Sequence, residues 1–301
     1  MVQLHDLTTL PQEKSWQAAP AETPEPHRVV LYLGCNVLRN SHMIRTVTDI
    51  FQLLGEDYIA VGGPAYCCGI VQHREGDVEI SQSMGQRTVS YLERFQPERV
   101  VMWCPSCVFY YDEVFELPTP FQSQHVTEYL VDNLHKLELA GRSPQRVALH
   151  YHANRPQRLR EAEAARTLLS AVPGLEYIEI GSDADFGTIC SPQQGIGEDW
   201  RRRVDRQLRQ AQEAEVDTFA TLYHGCQRLI CVNEERYPFR ISHYLDLVAR
   251  SLGIEHEDTF KKYRLWRDPD RVLSEMAPCM EASAVPIEQA QQVVARNFPS
   301  H

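Results

Sequence analysis

The sequence has no long hydrophobic run. None of its segments approaches the roughly 20 consecutive apolar residues that a membrane-spanning helix requires. The first seven residues, Met-Val-Gln-Leu-His-Asp-Leu, also lack the charged stretch followed by an apolar core that marks an export signal. These two absences predict a soluble, cytoplasmic protein without a membrane span.

Positive charge is also scarce. The 301 residues include 30 lysines and arginines against 41 aspartates and glutamates, which gives a formal net charge of −11. A protein that binds nucleic acid needs a basic surface or stripe to neutralise the phosphates. The basic run 201–203 falls on the polar face of a predicted helix, whose apolar stripe consists of Trp200, Val204, Leu208 and Ala211. We therefore expect no nucleic-acid partner.

The N-terminal 27 residues lack hydrophobic periodicity and contain four prolines, Pro11, Pro20, Pro24 and Pro26. This composition predicts a flexible arm over 1–27 that folds only against a partner or not at all. The regular pattern that follows predicts a first domain over 28–140, a second over 141–254 and a helical C-terminal tail over 255–301.

Cysteine, in contrast, is plentiful. There are nine cysteines, and an odd number without an export signal favours reduced thiols and metal ligation over a disulfide framework. Five of them follow three apolar runs, 29–33, 58–61 and 100–103, each of which predicts a β-strand. We call these five the five-cysteine group: Cys35, Cys67, Cys68, Cys104 and Cys107.

The placement of the five-cysteine group predicts a metal site. Strands alternate with helical patterns here, which predicts a parallel sheet whose strands all end at one edge. A Cys-x-x-Cys pair alone would fit a redox dithiol, half a zinc site or an iron–sulfur site, and single buried cysteines are often only packing residues. More than four soft thiolates favour iron and sulfide, although an ordinary cubane cluster needs only four.

The pattern resembles that of the CCG-domain proteins, typified by the B-type subunit of heterodisulfide reductase. That family has a lone cysteine, a Cys-Cys-Gly and a Cys-x-x-Cys, matched here by Cys35, by Cys67-Cys68-Gly69 and by Cys104-Pro105-Ser106-Cys107. The resemblance implies that the five-cysteine group holds one noncubane [4Fe-4S] cluster per chain. It also implies two-electron chemistry that cleaves or forms a disulfide.

The second half of the sequence repeats the order of the first. Predicted strands over 147–151, 175–180 and 218–223 alternate with helical patterns, and a final helix carries Ile241, Leu245, Val248 and Leu252. Repetition of this kind predicts an internal duplication of two similar α/β domains with parallel sheets.

The cysteine pattern of the second half is incomplete. Ala153 stands where the first cysteine of the motif belongs, and Cys190 replaces the Cys-Cys-Gly. Cys226 is the one thiol retained from the Cys-x-x-Cys, with Tyr223 or His224 opposite Cys104. A second cluster is therefore not expected, and we assign no metal role to the remaining cysteines, Cys231 and Cys279.

Five polar residues remain at the strand ends of the second half: His150, His152, Cys190, His224 and Cys226. One interpretation is catalytic: a substrate pocket where imidazoles move thiol protons and cysteines form mixed disulfides. A second is a zinc site with two cysteines and two histidines. A third is that the residues are retained only for packing. The sequence leaves these three open.

The resemblance also implies an assembly. The chain has no cysteine run of the cubane ferredoxin type. The resemblance therefore implies that the chain exchanges electrons with a ferredoxin-type cubane iron–sulfur subunit and a flavin subunit of the same complex. The match is strongest to heterodisulfide reductase-like complexes of sulfur oxidation, which implies a substrate on a lipoate-carrier protein. The alternative is a non-catalytic electron-transfer subunit of a lactate- or glycolate-oxidising system.

Overall fold

The structure is a computed structural model that describes residues 4–141, 144–182, 186–187, 189–190 and 197–300. The described residues form two compact units. The first comprises 4–44, 51–126 and 266–300, and the second comprises 45–50 and 127–265. Among the described residues, no helix is long and apolar enough to cross a membrane.

The first unit contains a four-stranded parallel sheet. Its strands are β1 (Val29–Gly34), β2 (Tyr58–Gly62), β3 (Arg99–Met102) and β4 (Gln122–His125). They lie in the order β2-β1-β3-β4, and every neighbouring pair is parallel. The central strand β1 is buried along its whole length, which explains its unbroken apolar run, because a central parallel strand is covered on both faces.

The second unit contains a sheet of the same kind. Its strands are β5 (Gln145–His150), β6 (Leu175–Tyr177), β7 (Thr218–Thr221) and β8 (Arg240–His243). The order β6-β5-β7-β8 repeats that of the first sheet, again with parallel pairs throughout. Two parallel sheets with the same strand order confirm the predicted α/β fold and are consistent with an internal duplication.

Helices connect the strands of both sheets. In chain order they are α1 (Leu4–Thr8), α2 (Ser41–Leu53), α3 (Ile70–Glu75), α4 (Val78–Glu93), α5 (Pro105–Phe109), α6 (Val126–Asp132), α7 (Pro156–Ala171), α8 (Glu198–Glu213), α9 (His224–Ile230), α10 (Tyr244–Ser251), α11 (Thr259–Trp266), α12 (Pro269–Ala282) and α13 (Ile287–Asn297). The last three confirm the predicted helical C-terminal end. The helix α8 buries the predicted stripe on one face and exposes its arginines 201 and 202 on the other.

The register of the two sheets shows which residues correspond. In the first sheet, Tyr32 of β1 pairs with Met102 of β3. In the second, His150 of β5 pairs with Thr221 of β7. Each is the last residue pair between its two strands. Later positions in the first half can therefore be matched with those in the second by counting along the chain from these pairs.

A histidine at each edge strand supports this correspondence. The imidazole of His125, at the end of β4, hydrogen bonds the carbonyl of Trp103 at 3.2 Å. The imidazole of His243, at the end of β8, hydrogen bonds the carbonyl of Leu222 at 3.0 Å. The two halves therefore repeat the same side-chain contact at the same place in the sheet.

The edge strands β4 and β8 differ from the sequence expectation. Ile241 lies in β8, and the helix predicted to contain it begins at Tyr244. Both strands have few apolar residues, Gln-Ser-Gln-His and Arg-Ile-Ser-His. An edge strand pairs on one side only and needs less apolar surface than a central strand, so it leaves a weak signal in the sequence.

The N-terminal segment also differs from the predicted flexible arm. Residues 4–8 form α1, and short 3-10 turns follow at Pro11–Glu13 and Ser15–Gln17. Leu4, Leu7 and Trp16 are buried, and α1 packs against α12 within the first unit. Three apolar side chains were enough to fix this segment although its composition is polar and rich in proline.

Candidate functional site

The fold brings the five-cysteine group to the carboxyl edge of the first sheet. Cys35 directly follows β1, Cys67 and Cys68 lie between β2 and α3, and Cys104 and Cys107 lie at the start of α5. The sulfur atoms of Cys35 and Cys67 are 3.6 Å apart. All nine cysteines of the chain are free thiols.

The thiols of this group influence one another's ionisation. A hydrogen bond from the Cys35 thiol lowers the pKa of Cys67 to about 6, against the effect of burial. The same contact, with burial and two further thiols nearby, those of Cys68 and Cys104, raises the pKa of Cys35. Hydrogen bonds to Cys104 and Cys68, followed by burial, raise the pKa of Cys107. The five sulfurs therefore converge in one place.

Two glycines allow the backbone to approach this place closely. Gly34 has a φ of +71°, and a Cβ atom there would lie 3.2 Å from the Cys107 sulfur. Gly69, the glycine of the Cys-Cys-Gly, has a φ of +91°. A Cβ atom at that position would lie 2.6 Å from the carbonyl oxygen of Ser81 in α4. Both positions favour glycine, because they combine a left-handed backbone with little space.

Three hydrogen bonds around the motif were not foreseen from the sequence. The Tyr32 hydroxyl donates to the carbonyl of Tyr66 at 2.5 Å and lies 3.9 Å from the Cys107 sulfur. The Thr88 hydroxyl of α4 donates to the carbonyl of Cys67 at 3.0 Å. These bonds fix the loop that carries Cys67 and Cys68. Tyr32 looks like any core residue in the sequence, since it lies inside an apolar strand.

The donor set fits an iron–sulfur cluster. Thiolates are the ligands that iron–sulfur clusters use, and a closed zinc site would need only four of them. Cys68, Cys104 and Cys107 are buried, with exposed fractions of 1%, 6% and 3%. Cys35 and Cys67 are partly exposed. The five-cysteine group would therefore hold the cluster with one open side, at Cys35 and Cys67.

A second group of thiols and imidazoles lies in the second unit. We call it the His–Cys cluster: His150, His152, Cys190 and Cys226. His150 ends β5, His152 follows two residues later, and Cys226 is the third residue of α9. All four are completely buried, with exposed fractions of 0%. Their ligand atoms all lie within 4.8 Å of one another.

The atoms of the His–Cys cluster are in direct contact. Nε2 of His150 lies 3.2 Å from the sulfur of Cys190. Nε2 of His152 lies 3.4 Å from the sulfur of Cys226 and 3.6 Å from that of Cys190. Burial disfavours the Cys226 thiolate, but the neighbouring Cys190 thiol and the two imidazoles outweigh it and hold the pKa of Cys226 well below its usual range. Burial raises the pKa of Cys190.

Two other residues of the second half, His224 and Cys231, lie outside the His–Cys cluster. His224 is buried as the first residue of α9 and is not a member of the His–Cys cluster. Cys231, also buried, contacts the carbonyl of Arg228 at 3.7 Å. The catalytic role expected for His224 and the His–Cys cluster stays a prediction. The complete burial of the His–Cys cluster favours the zinc alternative over an accessible substrate pocket.

The structure also identifies the residues that replace the missing cysteines. Counting from the matched pairs, Ala153 corresponds to Cys35, as the sequence indicated. Tyr223 precedes α9 as Cys104 precedes α5, so Tyr223 rather than His224 corresponds to Cys104. Cys226 then corresponds to Cys107, the third residue of its helix. The second half thus retains one thiol of the Cys-x-x-Cys.

Comparison with known proteins points to the same part of the chain. The CCG family, described as a cysteine-rich domain, matches residues 29–110. These residues contain the whole five-cysteine group. With the thiol donors described above, the match indicates an iron–sulfur cluster in the first half.

Two relatives that align with most of the chain have low sequence identity to it. The D-type subunit of dihydromethanophenazine:CoB–CoM heterodisulfide reductase from Methanosarcina barkeri is 19% identical over 256 residues, 80% of this chain and 63% of the relative. Its counterpart from Methanosarcina mazei is 20% identical over 257 residues, with the same coverage of 80% and 63%. The chain therefore spans less than two thirds of the length of these relatives.

Two other likenesses are weaker. A probable membrane-anchored ferredoxin from Chromohalobacter salexigens is 25% identical over 178 residues, 55% of this chain and 26% of that protein. The aspartate racemase of Picrophilus torridus shares 13% identity at a TM-score of 0.35, covering 79% of this chain and 99% of the racemase. A TM-score that low does not bear on function. Residues 29–110 thus match a CCG cysteine-rich domain, in a chain similar at low identity to the D-type subunit of heterodisulfide reductase.

Proposed function

We propose that the chain is the iron–sulfur subunit of a heterodisulfide reductase-like complex. In this proposal the five-cysteine group holds one noncubane [4Fe-4S] cluster. Such a cluster, held by these cysteines, would supply or accept electrons next to the substrate sulfur. The reaction is the reduction of a disulfide or persulfide, or its reverse.

The observation that carries the proposal is the convergence of five free thiols at one sheet edge. A cubane cluster uses four cysteine ligands, so a fifth thiol in the same place favours a cluster of a different build. The bond between the Cys35 thiol and the Cys67 sulfur, at 3.6 Å, joins parts of the motif that are 32 positions apart. Gly34 adds no side chain beside the Cys107 sulfur, where a Cβ atom would lie at 3.2 Å.

Two arginines give the open side of the five-cysteine group positive charge. Cys35 and Cys67 are its partly exposed members. The exposed guanidinium of Arg39 interacts electrostatically with Cys35, and that of Arg87 interacts with Cys67. The Arg87 guanidinium favours the thiolate form of Cys67. Positive charge at this side would also attract an anionic sulfur substrate or an acidic carrier.

The overall reaction balances when the partner subunits supply or accept two electrons. A disulfide takes up two electrons and two protons and yields two thiols, and the reverse releases them. The electrons would come from, or pass to, a ferredoxin-type cubane subunit and a flavin subunit. A lipoate-carrier protein fits as the substrate donor, because lipoate presents a small, strained disulfide on a flexible arm. This assignment would place the complex in sulfur oxidation.

A second candidate function is electron transfer without disulfide chemistry. The likeness to a probable membrane-anchored ferredoxin favours it. The chain would then serve a lactate- or glycolate-oxidising system, and the cluster would only pass electrons between partners. The two candidates differ in whether a disulfide reacts at the site.

A single assay separates them. The protein is purified anaerobically and mixed with reduced viologen as electron donor and oxidised lipoamide as the disulfide probe. Disulfide chemistry predicts that dihydrolipoamide forms, and that Cys104→Ser abolishes its formation. A protein that contains iron and sulfide and is oxidised by ferricyanide, but forms no dihydrolipoamide, would instead support electron transfer.

A further inference from the structure

The His–Cys cluster has the chemical composition of a metal site. It combines two thiols with two imidazoles, a donor set that is typical of tetrahedral zinc. The four residues come from three separate parts of the second unit. Cys226 lies 74 positions beyond His152 in the sequence, yet the two ligand atoms are 3.4 Å apart. The fold, not local sequence, brings them together.

The distances agree with four ligands around one ion. Bond lengths of about 2.0 to 2.3 Å around tetrahedral zinc place neighbouring ligand atoms roughly 3.3 to 3.8 Å apart. The three nitrogen–sulfur contacts of the cluster, to Cys190 from both imidazoles and to Cys226 from His152, are 3.2, 3.6 and 3.4 Å. A single ion therefore fits among these atoms after small movements of the side chains.

The second ring nitrogens orient both imidazoles for binding. Nδ1 of His150 contacts the side-chain oxygen of Gln207 in α8 at 2.5 Å. Nδ1 of His152 contacts the carbonyl of Gly187 at 3.0 Å. Since both partners are acceptors, each Nδ1 carries the proton, and each Nε2 lone pair faces the sulfurs. Metal-binding histidines almost always have an outer partner of this kind.

The orientation of the Gln207 amide is fixed independently. Its nitrogen donates to the carbonyl of Gly181 at 3.3 Å. The amide oxygen must therefore face His150, which in turn determines the protonated nitrogen of that imidazole. A glutamine on the buried face of α8, with no apolar role, is explained by this contact.

Ordinary packing accounts for these contacts less well. The cluster has three nitrogen–sulfur contacts, and two of them share the sulfur of Cys190. Cys190 approaches both imidazoles, and its one proton can serve only one of them. A cation at the centre would satisfy all four atoms at once.

The surroundings of the cluster are closed and apolar. The ring of Phe186 lies edge-on to both imidazoles, with ring centres 5.1 Å from His150 and 5.7 Å from His152. The ring of Tyr223 stacks on His152 at 5.9 Å. Four protein ligands without an open position are typical of a structural rather than a catalytic zinc site. An apolar shell also excludes competing water.

A two-iron cluster fits the same residues poorly. When such a cluster has two cysteine and two histidine ligands, the cysteines bind one iron and the histidines bind the other. The nitrogen and sulfur pairs then lie on opposite ends of the cluster. In the His–Cys cluster all four ligand atoms lie within 4.8 Å of one another, and Cys190 contacts both imidazoles.

We propose that His150, His152, Cys190 and Cys226 bind one zinc ion that stabilises the second unit. The ion would link the end of β5, the residue at 190 and the start of α9. In this half of the duplication a structural ion thus takes the place of a redox cluster. The site does not depend on the cluster chemistry proposed for the first half.

The test is the zinc content of the full chain. The protein is produced with iron and zinc both in the medium, and metals are counted by mass spectrometry. The wild-type chain should contain about one zinc ion. Cys226→Ala should lose it, Cys226→His should retain it because an imidazole replaces the thiolate, and Cys231→Ala should retain it as a matched buried thiol outside the cluster.

Two results would overturn the proposal. One is a wild-type chain without zinc after growth in zinc, and the other is zinc retained in Cys226→Ala. If Cys226→Ala fails to fold, cobalt substitution of the wild-type chain decides instead. Tetrahedral cobalt with thiolate ligands gives intense visible and charge-transfer bands, and their absence would refute the site. If the wild-type chain contains iron in place of zinc, and Cys226→Ala loses that iron, the site is real but the ion is not zinc, which would refute the proposal.

Discussion

His152 occupies in the second sheet the position that Gly34 occupies in the first. A Cβ atom at Gly34 would lie 3.2 Å from the Cys107 sulfur. At the matching position, Nε2 of His152 lies 3.4 Å from the sulfur of Cys226, the counterpart of Cys107. The first half keeps the space beside its sulfur clear, and the second fills it with an imidazole. This exchange is the physical basis for expecting a cluster in one half and a single ion in the other.

The first prediction concerns the five-cysteine group. Cys104→Ser should abolish or strongly alter the visible and EPR signals of the protein, because an oxygen ligand is harder than a thiolate and binds iron–sulfur clusters less well. Iron per chain should fall with them. Cys279→Ser, at a partly exposed thiol of α12, is the matched control and should leave the iron content unchanged. Equal losses in both variants would contradict the assignment.

The second prediction compares two glycines with the same backbone conformation. Gly69 and Gly76 have φ values of +91° and +93°, so alanine at either costs about 1 to 2 kcal/mol of backbone strain. Only at Gly69 would the new Cβ also collide with α4, 2.6 Å from the Ser81 carbonyl. Gly69→Ala should therefore lower both the melting temperature and the iron content more than Gly76→Ala. Equal behaviour would show that the close packing of Gly69 does not matter.

The third prediction tests Gln207 as a positioning residue. Gln207→Leu removes the acceptor of the His150 Nδ1 proton and should weaken zinc binding about 10- to 100-fold. The affinity is measured by competition with a chromogenic chelator. Gln207→Glu keeps an acceptor oxygen and should retain most of the affinity. Unchanged affinity in the leucine variant would argue against the role of the outer contact, and iron content should be the same in all three proteins.

The fourth prediction concerns a buried ion pair behind the His–Cys cluster. Arg158 and Glu161 of α7 are 3.0 Å apart with exposed side-chain fractions of 1% and 0%, and the Tyr223 hydroxyl donates to the same carboxylate. Glu161→Gln leaves a buried guanidinium without its counter-charge, which should cost about 3 to 5 kcal/mol of unfolding free energy. Tyr223→Phe keeps the ion pair but removes a hydrogen bond to the carboxylate, and should cost about 1.5 to 3 kcal/mol. Denaturant unfolding of the two variants checks the order.

Much of the fold could be predicted from the sequence. The apolar runs of β1 and β3 were recognisable because these strands lie in the middle of their sheet and are buried on both faces, and the edge strand β2 was recognisable from its own apolar residues. The edge strands β4 and β8 were not, since their polar residues give no such signal. The buried segment at Leu4 and Leu7 was hidden in the same way by a polar, proline-rich surrounding.

The thiols and imidazoles of the two groups could be predicted from the sequence, but the residues that support them could not. Cysteine spacing identified the five-cysteine group, and the strand ends identified His150 and His152. Tyr32 and Gly187 contribute a hydroxyl and a carbonyl, which any strand or loop could supply, so the sequence held no sign of them. Gln207 could have been found, because it lies beside Leu208 in the apolar stripe of α8, where a polar residue needs a partner.

The most direct test of the central claim is a count of metals and sulfide in the anaerobically purified wild-type chain. One [4Fe-4S] cluster in the first half and one zinc ion in the second predict about four irons, four sulfides and one zinc per chain. Cys104→Ser should remove the iron and sulfide but leave the zinc. About eight irons per chain would contradict the account, because they would require a second cluster among the imidazoles of the second half. So would a protein that contains no iron or sulfide.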